Sequence, residues 1–124
     1  MEYKKKKFLL KKKIICFDLD NVICSTKKNY YHKSKPNFKA IKKINFLYKK
    51  GYFIKIFTAR FMGRSKENKK IAIKKGYNFT KKQLKKWKVD YHNLIFGKPS
   101  YDLFIDDKSI FYNPNWIKKI DKYL

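Results

Sequence analysis

Acid is scarce in this sequence. Its 124 residues hold 9 Asp and Glu against 34 Lys and Arg, a formal net charge of +25. Arginine is nearly missing too, present only as Arg60 and Arg64. Readers of nucleic-acid sequence lean on Arg, whose planar fork pairs bidentately with phosphate and guanine. Lys, Ile, Asn, Phe and Tyr are abundant together, a set that AT-rich codons favour. The lysines are therefore either coding bias on a solvated surface or a surface selected for a polyanion partner. In both cases acidic polymers should be attracted at low salt.

Other scarcities narrow the class. Two cysteines, Cys16 and Cys24, imply no disulfide framework, which fits a reducing cytoplasm. Cys16 lies in an apolar run and is expected to be a small core residue. The opening lysines are followed only by Phe8-Leu9-Leu10, too short for a signal-peptide core or a membrane span. No repeat or linker divides the chain, so it reads as one soluble, cytoplasmic domain over 1–124, with 1–12 a loosely attached basic lead-in. A hydrophobic content of 44% excludes a disordered composition.

What is there alternates. Lys13 to Asp18 is a nearly continuous apolar run, expected as a strand buried on both faces. Val22 to Lys35 reads as a long loop, the kind that often covers a site. Pro36-Asn37 opens a helix capped by Asn37, with Phe38, Ile41, Ile44, Leu47 and Tyr48 on its inner face and Gly51 as its stop. Tyr52 to Phe57 is a second strand, completing a βαβ unit with parallel strands. Lys66 to Lys75 is a modest helix ending at Gly76, and Thr80-Lys81-Lys82-Gln83 is a capping-box pattern opening another through Leu84 and Trp87. Leu94-Ile95-Phe96 and Leu103-Phe104-Ile105 are a third and fourth strand. Residues 114–124 form a last amphipathic helix with Trp116, Ile117 and Ile120 inward. Alternation of this kind predicts a three-layer α/β sandwich.

The chemistry sits at the strand ends. Asp18 and Asp20 close the first apolar run, Thr58 follows the second, Lys98 the third, and Asp106-Asp107 the fourth. Open α/β sheets bind ligands outside the carboxyl ends of their strands, so these residues should converge. Two carboxylates one residue apart cost desolvation unless a cation accompanies them. A hard cation such as Mg²⁺ suits an all-oxygen set built from Asp18, Asp20, Asp106 and Asp107. One aspartate can attack phosphorus, and the second can protonate the leaving oxygen and then activate water. The lysine and the threonine can bind phosphoryl oxygens. Asn21 is a turn former close enough to touch substrate. Arg60, beside Ala59, could grip a phosphate or an acidic sugar, or pair with a surface acid. His32 and His92 read as loop residues, with no second ligand at zinc spacing.

The segments FDLDNV, IFTAR, GKP and FIDDK resemble, in order, the four signature motifs of the haloacid dehalogenase (HAD) superfamily. The resemblance spans about Lys13 to Ile110. It implies a Rossmann-like parallel sheet with Mg²⁺ at the strand ends, Asp18 as nucleophile and Asp20 as general acid and base. It also implies Thr58 as the phosphoryl-binding hydroxyl and Lys98 as the charge-stabilising lysine; Asn21, Ala59 and Arg60 stand beside these as candidate substrate contacts. Within Asp106-Asp107 it leaves open which residue touches the metal, with Asp107 preferred. Asp20 marks the phosphatase branch. FDLDNVIC with SKPN, TAR, GKP and IDDK is further similar to small bacterial capsule- or polysaccharide-biosynthesis phosphatases. The gaps between motifs are too short for a cap domain, and capless members act on large or polymer-linked substrates or borrow a roof from a neighbouring subunit. The expectation is thus a Mg²⁺-dependent phosphomonoesterase for a phosphorylated sugar or glycan precursor. The alternatives are a polynucleotide-end phosphatase or an idle basic binding module.

Overall fold

The computed structural model describes residues 13–124, so the basic lead-in over 1–12 lies outside the described residues. Strand β1 (Ile14–Asp18) pairs in parallel with β4 (Phe53–Thr58), Asp18 opposite Phe57, and β4 pairs in parallel with β5 (Asn93–Phe96), Thr58 opposite Phe96. The sheet order is β1-β4-β5. An α/β architecture with a parallel sheet is therefore present. Among the described residues no helix is long and apolar enough to cross a membrane.

Helix α1 (Phe38–Lys49) forms as its sequence predicts. The Asn37 side chain accepts from the Ala40 N–H at 3.2 Å, satisfying one orphan donor of the first turn. Ala40, Ile41, Ile44 and Leu47 are buried. Phe38 is not: it is 70% exposed at the first turn, before the helix has reached the sheet. Gly51 takes φ +98°, a left-handed backbone that favours glycine, and the chain turns into β4. Ile54 and Ile56 of β4 are fully buried and form the centre of the core with Ile44, Leu47 and Leu84.

The expected loop over 22–35 holds a small antiparallel hairpin, β2 (Cys24–Ser25) with β3 (Lys35–Pro36), and a 3₁₀ turn at Tyr31–Lys33. Two expectations for β1 fail. Ile14 is 63% exposed and Cys16 is exposed, so β1 is not buried on both faces and Cys16 is no core residue. The reason is position, since β1 is an edge of the three-stranded sheet. Leu103-Phe104-Ile105 forms no strand; Leu103 is 77% and Ile105 88% exposed. Three apolar residues make few ladder bonds, and their neighbours are held elsewhere. Ser100 donates from its N–H and hydroxyl to the Glu67 carboxylate at 2.9 and 3.1 Å, and Lys98 lies over the Tyr101 and Phe104 rings.

The two helices expected over 66–87 are one, α2 (Lys69–Lys86), capped by Asn68, whose side chain accepts from Ile71 N–H. It starts late because Lys66 and Glu67 are left-handed, and it runs straight through Gly76. Gly76 is no stop: a Cβ there would lie 2.1 Å from the Phe61 ring. Thr80 is no cap but a buried mid-helix residue. The final helix, expected over 114–124, is one turn, α3 (Trp116–Lys119), continued by a 3₁₀ turn at Ile120–Tyr123. Trp116 packs on Phe17 with ring centroids 5.5 Å apart, and Lys43 pairs with Asp121 at 2.8 Å. His92 is a structural residue, stacked on Tyr48 and Phe53, its Nδ1 accepting from Ile54 N–H at 3.0 Å.

Gly76 gives a sharp test. Alanine in a helix interior ordinarily gains about 1 kcal/mol over glycine, whereas overpacking costs about 1–3 kcal/mol. Gly76→Ala should lower stability in urea unfolding, because the added methyl group meets the body of the Phe61 ring. A more stable variant would show that Phe61 does not occupy that space.

Candidate active site

The sequence bends sharply where β1 ends. The carbonyl of Leu19 accepts from Val22, Ile23 and Cys24 N–H groups at 3.3, 2.9 and 3.3 Å, folding the chain into a tight loop. Asn21 sits at φ +68°, a conformation Asn tolerates better than most residues, and its side chain accepts from Thr26 N–H at 3.2 Å. Asn21 thus builds the turn. The turn also gives Asp18 and Asp20 different surroundings.

Asp18 stands at the carboxyl end of β1. Its Oδ1 accepts from Leu19 N–H at 2.9 Å, and its Oδ2 lies 3.4 Å from Lys98 Nζ. Lys98 arrives there because its N–H donates to the Thr58 carbonyl at 3.2 Å, joining the segment after β5 to the end of β4. Burial pushes the Asp18 carboxyl above its ordinary range, with Lys98 and the Leu19 N–H pulling partly back. Burial alone would lower Lys98, but the Tyr101 hydroxyl and the Asp18 charge outweigh it and leave the amine raised. Between the ordinary and the raised Asp18 values the native protein holds a proton that the unfolded chain has released. Asp18 therefore costs stability as pH rises through that window.

Asp20 is bound to the protein on nearly every side. Its Oδ1 accepts from Thr26 Oγ1 at 2.6 Å, Arg60 Nη2 at 2.9 Å and Arg60 Nε at 3.1 Å, and its Oδ2 accepts from Arg60 Nε at 3.0 Å. Arg60 is 1% exposed. A buried guanidinium must satisfy five N–H groups, and Arg60 does so from four directions. Nη1 donates to Gln83 Oε1 at 2.7 Å and Thr80 Oγ1 at 3.3 Å, and Nη2 also reaches Ser34 Oγ at 3.3 Å and Cys24 Sγ at 3.7 Å. The Tyr31 ring lies 4.9 Å from its centre. Of the two uses open to Arg60, pairing with acid is the one seen, but the acid is the candidate proton shuttle rather than a surface residue.

Thr58 is wholly buried, and its Oγ1 accepts from Arg60 N–H at 3.0 Å. The Ala59 carbonyl accepts from Met62 N–H at 3.0 Å in the turn that follows. Asp18, Asp20, Thr58, Ala59, Arg60 and Lys98 are thereby linked around the carboxyl ends of the three strands. Asp106 and Asp107 are not part of this linkage: both are exposed, and the Asp106 carboxylate accepts from Lys108 N–H at 3.3 Å in a turn. Among the described residues no group of three or more His, Cys, Asp or Glu is arranged to hold a metal ion. The apolar groove of about 270 Å³ between α2 and β5, lined by Ile73, Tyr77 and Phe96, contains no carboxylate and is separate from this chemistry.

Sequence reasoning missed Thr26, Ser34, Thr80 and Gln83. The signal for the last two was present, because a Thr and a Gln three apart on a helix share a face. The same two residues also fit a capping-box pattern, and the helix hides the difference. In a carboxyl-detected NMR titration Asp18 should titrate above ordinary aspartates, and Lys98→Ala should move it higher still. A downward move would contradict the pairing.

No family model matches the chain, and no curated protein matches it. Among solved structures, the crystal structure of an MCSG target from Vibrio cholerae is similar in fold, with a TM-score of 0.74 and 22% identity over 90% of this chain and 98% of that one.

Proposed function

We propose that this chain is a HAD-like phosphomonoesterase that works through an aspartyl-phosphate, with the three-layer sandwich and Mg²⁺ dependence of that superfamily. The observation that carries the reading is the unequal treatment of the two aspartates at the end of β1. Asp18 keeps 38% of its side chain exposed with one cation beside it, whereas Asp20 is clamped by Arg60 and Thr26. A nucleophile must reach its substrate, and a proton shuttle must be held still. Lys98 stands where charge on a phosphoryl group held by Asp18 would be neutralised.

The donor chemistry suits Mg²⁺, since every candidate ligand is a hard oxygen. Asp18 and the Asp20 backbone carbonyl would hold it, while Asp106 and Asp107 stand apart in an exposed turn. Bound there, the ion would neutralise the phosphate and orient it for in-line attack. Between Asp18 and β4 the chain inserts only the small hairpin and α1, and between Thr58 and Lys98 only α2 and β5 with short connections, so no cap domain intervenes. That openness supports a large or glycan-linked ester, and the resemblance of the four motifs to capsule-biosynthesis phosphatases supports a phosphorylated sugar or glycan precursor in surface-carbohydrate synthesis. The net charge of +25 favours one second reading, a polynucleotide-end phosphatase.

A screen of sugar phosphates against a 3′-phosphorylated oligonucleotide, with and without Mg²⁺, separates these. The leading reading expects Mg²⁺-dependent release of phosphate from the sugar esters and a loss of at least about a thousandfold in Asp18→Asn. Metal-independent turnover, or an active Asp18→Asn, would overturn the mechanism. A preference for the oligonucleotide at physiological salt would overturn the substrate.

A further inference from the structure

The Asp20 carboxylate has two oxygens, and the protein uses them very differently. Oδ1 receives the Thr26 hydroxyl, two N–H groups of Arg60 and the Cys24 thiol at 3.6 Å. Oδ2 receives only Arg60 Nε. The side chain keeps 21% of its surface. A carboxylate oxygen offers about two lone-pair sites, so Oδ1 has no capacity left and Oδ2 has one.

From this geometry we infer that Arg60 and Thr26 are positioning residues that commit Oδ1 to the protein and leave Oδ2 as the oxygen that exchanges a proton with substrate. The inference rests on the phosphatase reading and names the atom and its supports. In the first step the Asp18 carboxylate forms the bond to phosphorus. The P–O bond to the leaving alcohol breaks, its electron pair stays on that oxygen, and the proton on Oδ2 of Asp20 passes to it. In the second step Oδ2 takes a proton from the water that attacks phosphorus, and the Asp18 carboxylate is released. Arg60 itself touches no substrate. Its guanidinium is filled by Asp20, Thr80, Gln83, Ser34 and Cys24. Of the two cations beside the aspartates, Lys98 is therefore the one left to bind phosphate.

The fork shape of Arg60 is the essential feature. A lysine would keep the positive charge but could not hold Oδ1 while also spanning to Gln83 and Thr80. Asp20 would then rotate about its χ angles, and proton delivery would lose its aim. Such a defect has a signature that general loosening lacks, because an ester with a good leaving group needs no proton.

The test compares kcat and KM of wild type, Arg60→Lys and Thr26→Val on an alkyl phosphate and on 4-nitrophenyl phosphate, with Mg²⁺ present. For Arg60→Lys the expected result is a kcat loss of about a hundredfold on the alkyl ester, a far smaller loss on the nitrophenyl ester, and unchanged KM on both. Thr26→Val removes a single bond to Oδ1 and should show the same bias more weakly. It also carries the test if Arg60→Lys does not fold. Equal losses on both esters would mean that the pair is merely structural, and a raised KM on both would mean that Arg60 binds phosphate; each overturns the inference while leaving the phosphatase reading intact. Wild-type protein inactive on every ester would overturn that reading, and this inference with it.

Discussion

A guanidinium buried to 1% exposure is the constraint around which the rest of this small domain is arranged. Removing water from Arg60 is tolerable only if each N–H finds an acceptor, and the acceptors come from three separate stretches of chain. Asp20 belongs to the turn after β1, Cys24 and Ser34 to the hairpin region, and Thr80 and Gln83 to α2. Closing the network therefore fixes the turn, the hairpin and the helix relative to the end of β4. Removing one partner of such a pair typically costs about 3–5 kcal/mol, because the other charge is stranded. Gln83 extends the same constraint by donating to the Tyr31 carbonyl at 2.8 Å. Arg64 adds to it by donating to the Asn29 carbonyl at 2.7 Å while stacking on Tyr31 and Phe61.

The same arrangement gives two identical side chains different surroundings. Asp18 and Asp20 are separated by one residue, yet Leu19 is wholly buried between them and the tight loop turns the second carboxylate inward. Each has its own cation: a lysine amine at 3.4 Å for Asp18 and a planar fork for Asp20. Point charge and fork are not interchangeable. The lysine suits a group that must bond to something new, and the fork suits one that must not move. With only two arginines in the chain, one of them is committed here.

Where the sequence was legible, local signals and global packing agreed. The apolar runs at β1, β4 and β5, the Asn37 cap and the i, i+3, i+4 pattern of α1 each depend on neighbours in the chain, and each element formed. Errors arose where a distant contact overrode a local signal. Gly76 looks like a helix stop, but it leaves room for a Phe61 ring fifteen positions earlier. Thr80 and Gln83 look like a capping box, but they are acceptors for Arg60. Cys16 and Leu103–Ile105 carry apolar character that reads as core, yet burial depends on what lies across from them. The candidate site was legible as a set of residue types at strand ends. Its internal pairing was not, because the choice between substrate and Asp20 as partner for Arg60 depends on burial.

In the mechanism we propose, a phosphoryl group passes through Asp18 before reaching water, with Asp20 handling the proton each time. The stereochemical course at phosphorus tests this most directly. It requires a phosphate ester made chiral with three oxygen isotopes and transfer to an acceptor alcohol. Two successive in-line displacements predict net retention of configuration. Net inversion would mean a single direct displacement, with Asp18 never bonded to phosphorus, and would contradict the account.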